Sequence, residues 1–215
     1  DYVVGYVANT SDNAPYVVVF GRGEYSDYKM FRFNVKESIP VDPTSSDGKY
    51  NFGAYITGVS PNTTFEEFKS LKEAKLWAPF ETGAMTILAL AMYEINRDEA
   101  LKCLEYLKGP AKLSPREIQF FDERLKGKEY KARSFFKGTS RENNYTPSLP
   151  YMIDVQDNPY SYQNEGWATI YVTSSGADNI RPISLRFKPS THEWFLNECQ
   201  ILADIRIPVI EDDWA

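Results

Sequence analysis

Histidine is almost missing from this chain: His192 is the only one in 215 residues. A device that needs two imidazoles, or a metal site built from several histidines, is therefore excluded within one chain. His192 follows a Pro-Ser-Thr turn and precedes Glu193, the setting of a solvated loop residue, and a Ser-His-Asp triad can be drawn around it only by choosing the serine freely. Cysteine is scarce as well, with Cys103 and Cys199 alone. The first falls in an amphipathic helical pattern and the second among apolar neighbours, so two buried thiols are expected instead of a disulfide framework.

Basic charge is in deficit. Lys and Arg number 24 against 30 Asp and Glu, a net charge of −6, which disfavours the broad basic face that a nucleic-acid partner requires. Long apolar runs are missing too: residues 84–93 are interrupted by Thr86 and fall far short of the roughly 20 residues that span a bilayer, so no transmembrane segment is expected. Neither a Gly-x-Ser-x-Gly elbow nor a Gly-x-x-x-x-Gly-Lys-Ser/Thr loop occurs, and Gly21-Arg22-Gly23 is too short to cradle a phosphate. No cofactor is implied, and no metal: the acidic run Glu211-Asp212-Asp213 lacks the spacing of a calcium loop and reads as a solvated tail, with Trp214 expected to anchor it in the core.

What is present is ordinary globular composition, 42% hydrophobic and 25% charged, which predicts a packed core. Opening at Asp1 without Met fits a removed upstream piece; the reading favours the cytoplasm and leaves export open. The first stretch, 1–60, reads as β-rich, with strands at Tyr16-Val17-Val18-Val19-Phe20, at the alternating residues from Met30 to Val35, and at 49–56 after a flexible connection through Pro40, Pro43 and Gly48. This region is either an appendage or part of the same domain as 61–215.

From Thr64 the period turns helical. Thr64-Phe65-Glu66-Glu67 is a capping box, Pro79 suits the first turn of a second helix that is apolar all round, and Asp98 is expected to cap a third that Gly109 and Pro110 stop. Ser114-Pro115-Arg116-Glu117 opens a fourth. Period two returns at Tyr151, Ala168 and Ile183, and residues 193–204, though ambiguous, lean towards strand. The expected class is α+β: about four helices packed on a mostly antiparallel sheet, with an additional N-terminal β region.

Several motifs stand together in the second part: Tyr106-Leu107-Lys108-Gly109-Pro110, Arg133-Ser134-Phe135-Phe136-Lys137-Gly138, Glu142-Asn143-Asn144-Tyr145-Thr146-Pro147, Ser174-Ser175-Gly176-Ala177-Asp178 and Ile205-Arg206-Ile207-Pro208. Over roughly 64–215 the chain resembles an uncharacterised bacterial domain-of-unknown-function family common in anaerobic gut bacteria. The resemblance implies a bacterial source and assigns no catalytic residue.

The polar set Arg133, Asn143, Asn144, Tyr145, Asp178 and Arg181 falls in two loops flanking the return to the sheet, where an arginine could grip a carboxylate or phosphate at two points. Arg133, Asn144, Tyr145, Asp178 and Arg181 are the candidate ligand-binding residues. Tyr151, Tyr160 and Tyr162 join Tyr145 as a candidate aromatic surface. The expected function is a noncatalytic interaction domain for a protein or a small polar ligand. A carboxylate enzyme on a small polar substrate is the alternative, with Asp154 or Asp178 as base and Arg133 or Arg181 stabilising negative charge. A structural module of a larger surface protein is the third reading.

Overall fold

The computed structural model describes the strand backbones at 2–7, 16–21, 29–34 and 51–56, and residues 64–148 and 151–214. The connection expected around Pro40 and Gly48 lies outside the described residues. The chain divides into two compact units, Asp1–Val41 and Asp42–Ala215. In the first, β1 (Tyr2–Val7), β2 (Tyr16–Gly21) and β3 (Lys29–Asn34) pair in order as an antiparallel meander.

The second unit carries four curled antiparallel strands, β5 (Tyr151–Gln156), β6 (Trp167–Val172), β7 (Arg181–Lys188) and β8 (Glu193–Cys199). A fifth strand, β4 (Asn51–Ile56), pairs along the full length of β5, giving the order β4-β5-β6-β7-β8. Alternation explains which face is buried: Ala168, Ile170 and Val172 point inward between Trp167, Thr169 and Tyr171, and Ile183 and Leu185 continue the inner row. β5 and β6 pair only at Val155 and Gln156 before diverging. The edges this frees are covered locally, because Lys137 N–H donates to the Met152 carbonyl at 2.8 Å and Thr169 N–H to that of Ser161 at 2.9 Å. A bulge between Ser184 and Leu185 shifts the β7–β8 register. The ambiguous stretch is a strand to Cys199 and a turn beyond it.

The helices follow from their caps. α1 (Phe65–Ser70) begins with the reciprocal pair in which Thr64 N–H donates to Glu67 Oε2 at 2.7 Å and Glu67 N–H to Thr64 Oγ1 at 3.3 Å. α2 (Pro79–Met92) starts on proline, with Ala78 N–H held by Glu81 at 3.0 Å. Every residue from Thr82 to Met92 is buried, as a helix apolar all round requires, and α2 contacts all five strands of its sheet. Gly83 permits that approach: a Cβ there would lie 2.2 Å from Ile170 Cδ1. α3 (Arg97–Lys108) is capped by Asn96, whose Oδ1 accepts from Glu99 N–H at 3.2 Å. The expected cap, Asp98, is instead inside the first turn, where its charge suits the helix N-terminus. α4 (Pro115–Leu125) repeats the capping box through Ser114 and Glu117 and buries Phe121 and Leu125. Arg97 ties it to α3 by a two-point pair with Asp122 at 2.7 and 2.8 Å. A short α5 (Tyr130–Arg133) completes the set. The protein is α+β, and among the described residues no helix is long and apolar enough to cross a membrane.

Candidate functional site

The loop residues singled out from the sequence are drawn into the fold's own bonding. Tyr145 is 0% exposed; its ring stacks on Tyr130 at 5.9 Å and its phenol donates to the Arg206 carbonyl at 2.8 Å. The expectation that Tyr145 presents a ligand surface is corrected: it is core. Asn144 and Tyr145 both adopt left-handed backbone, φ 55 and 51. Tyr145 N–H closes that turn onto the Ser140 carbonyl at 2.8 Å, which offsets the strain. Asp178 pairs with the Arg206 guanidinium. Arg181 donates from Nη2 to the Asp204 carbonyl at 3.3 Å, and Arg133 clamps both Glu94 oxygens from Nη1 at 2.6 and 2.7 Å. Tyr145, Asp178 and Arg181 therefore gather along residues 204–206, while Arg133 is held beyond the end of α2.

Around them lies a knot of hydroxyls. Ser134 and Ser174 share a hydrogen bond of 2.7 Å, Thr139 and Ser175 one of 2.9 Å, and Ser175 N–H donates to the Ser134 carbonyl at 2.9 Å. Arg141 reaches the Ile207 carbonyl at 2.9 Å and Asp212 at 2.6 Å, so the C-terminal segment is stitched to this loop. Asp212, not Trp214, ties the tail: Trp214 is 96% exposed. The tyrosine set divides, with Tyr160 and Tyr162 exposed and Tyr151 half-buried against Phe136 at 5.5 Å.

Several titratable groups outside the loops are buried or paired within the fold. Both thiols are buried and pushed up to about 12 by burial, which leaves them protonated and inert. Burial also raises Glu81, which caps α2, and Asp157, which Tyr162 hydrogen-bonds. Asp154 faces Lys137 at 3.5 Å. His192 is exposed at φ 57, its ring edge-on to Phe187 at 6.1 Å. Among the described residues no group of three or more His, Cys, Asp and Glu gathers as metal ligands.

On a different surface, Lys102 pairs with Glu99 at 2.6 Å, while Lys112, Lys188, Glu105 and Glu193 form no ion pair among the described residues. A groove of about 580 Å³ runs between α1, α3 and the β7–β8 hairpin. Phe65, Tyr106 and Phe195 make its aromatic floor, and Lys112, Lys188, Glu105 and Glu193 stand at its rim. Phe65 and Tyr106 meet edge to face at 6.1 Å, and the Tyr106 hydroxyl is fixed on the Ala74 carbonyl at 2.8 Å. Gly109 makes the wall possible: it takes φ 55, and a Cβ would lie 2.3 Å from the Phe195 ring. Lys108 fixes the end of α3 to the sheet, donating to Glu117 at 2.6 Å and to the Asn197 carbonyl at 2.9 Å. Glu117 is depressed below the ordinary carboxylate value, since hydrogen bonds from Lys108 and Ser114 outweigh its desolvation. No motif marked this groove, whose residues come from separate stretches of chain; the one local sign was Gly109-Pro110 ending α3.

The family comparison closes on the same unit. The model of a domain of unknown function (DUF6935) matches residues 60–209, more than half of the chain. The chain belongs to this family. The DUF6935 match takes in α1 to α5, β5 to β8, the hydroxyl knot and the groove, and β1 to β4 precede it. Comparison with curated proteins found no match, and neither did comparison with solved structures.

Proposed function

We propose that this DUF6935 protein is a noncatalytic interaction domain that holds a segment of a partner polypeptide in the groove beside β8. One observation carries the reading: an aromatic floor is rimmed by charges of both signs that form no ion pair with each other, while the polar loops elsewhere are internally bonded. Small ions of either sign meet repulsion from half of the rim. A peptide that places an apolar side chain on Phe65 and Phe195, with acidic and basic residues beside it, meets complementary charge on both sides. The pairing of Asp154 with Lys137 and of Asp178 with Arg206 gives these carboxylates structural employment and supports binding over carboxylate catalysis.

The test is selection of random peptides displayed on phage against the purified chain. Enriched peptides should carry an apolar residue flanked by both charges, and their affinity should fall roughly tenfold with Lys188→Glu, the loss of one complementary charge pair. No enrichment, or peptides indifferent to both Lys188→Glu and Glu193→Lys, overturns the proposal.

A further inference from the structure

β8 is the outer strand of its sheet, and an open edge invites a partner segment to add as a further strand. Here that edge is occupied at Trp194 and Asn197. Trp194 N–H donates to the Leu76 carbonyl at 2.7 Å, the Trp194 carbonyl accepts from the Thr82 hydroxyl at 2.6 Å, and the Asn197 carbonyl accepts from the Lys108 ammonium at 2.9 Å. α3 and the short turn Gly109–Ala111 pack along the same strand. A peptide in the groove therefore finds no ladder to extend. A helix fits no better, because an amphipathic helix needs a wide apolar trough for anchors at i, i+3, i+4 and i+7. Lys102, Glu105, Lys112, Lys188 and Glu193 make up half of the lining instead.

The floor between these charges is fixed by the fold itself. Phe65 N–H donates to Glu99 at 2.6 Å, the Tyr106 hydroxyl donates to the Ala74 carbonyl, and the Phe195 ring lies against Gly109. With that hydroxyl committed, the three rings offer apolar surface and no free donor. A segment lying on them must press apolar groups down while its own backbone stays in water. A polyproline II helix meets that condition, since it has no internal hydrogen bonds and a fully solvated backbone. Proline rings supply the apolar groups and set φ in advance, so less freedom is lost on docking. Charges of both signs stand at the rings: the Lys188 ammonium lies 5.9 Å from the centre of the Phe195 ring, and burial first, then Glu193, raise the Tyr106 phenol. Resting on the peptide-binding reading above, we propose that the segment held in the groove is proline-rich and lies as a polyproline II helix across Phe65, Tyr106 and Phe195. A basic residue beside the prolines meets Glu105 or Glu193, and an acidic one meets Lys112 or Lys188.

Peptides selected by phage display against the full chain should carry prolines at i and i+3, the spacing that brings them to one face of a helix with about three residues per turn. Exchanging both prolines for alanine in the tightest of these peptides should weaken binding roughly tenfold, through lost preorganisation and lost ring contact. Fluorescence anisotropy of the labelled peptides reads the change. Selected peptides that lack proline, or that bind equally well after the exchange, while still responding to Lys188→Glu or Glu193→Lys, overturn the proline-rich assignment and leave peptide binding in the groove standing. No enrichment, or peptides indifferent to both rim variants, overturns the two together.

Discussion

The hydroxyl knot at residues 134–145 and 174–178 and the groove beside β8 are both rich in polar side chains, hydroxyls in the first and charged groups in the second, and end in opposite states. In the knot, Ser134, Thr139, Tyr145, Ser174 and Ser175 bond one another or nearby carbonyls, as buried polar groups must. In the groove, the Lys188 ammonium lies 5.9 Å from the centre of the Phe195 ring, and Lys112, Glu105 and Glu193 line the same surface with water as their alternative partner. Density of polar residues in a loop is therefore a poor guide to ligand binding. The informative quantity is how many of their donors and acceptors the fold has already used.

Substitutions that break this contrast should rank by how much of the core they disturb. Tyr145→Ala removes a fully buried ring and orphans the Arg206 carbonyl, and should cost ~3–5 kcal/mol by denaturant unfolding. Tyr145→Phe, which keeps the ring, should cost only about 1–2 kcal/mol. Gly109→Ala forces a side chain into positive φ and against Phe195; a loss of about 1–3 kcal/mol is expected, together with weaker binding of selected peptides. Glu117→Gln sharpens the comparison through pH. Because the folded protein holds Glu117 below its ordinary value of 4.5, the charged form stabilises the fold above that pH. The contribution is lost as pH falls through the folded-state value. The stability gap between wild type and Glu117→Gln should therefore narrow steadily in acid, as urea midpoints across a pH series would read. Lys188→Glu, on the groove rim, should change stability by no more than about 0.5 kcal/mol while impairing peptide capture.

Local chemistry was legible in the sequence wherever one short stretch decides the outcome. Thr64 with Glu67 and Ser114 with Glu117 cap their helices as their spacing predicts, and the all-apolar α2 is buried as its pattern requires. Asn96 displaced Asp98 as the α3 cap because both can accept from a first-turn N–H and the choice depends on where the chain enters the helix. Tyr145 lies in an irregular loop with no period to reveal which side faces inward, and its burial depends on Tyr130 and Arg206, distant in sequence. The groove was hidden for the same reason, since Phe65, Tyr106, Lys188 and Phe195 become neighbours only when α1 and α3 pack beside β8. Trp214 failed as an anchor because a terminal aromatic needs a cavity to enter, and Asp212 already fixes the tail through Arg141.

Hydrogen–deuterium exchange of the full chain, with and without a display-selected peptide, tests the division between knot and groove most directly. New protection confined to 65–69, 102–112 and 188–195 is the predicted footprint. Protection at 138–146 and 174–181 with the groove unchanged would contradict it, and would return the binding surface to the polar loops.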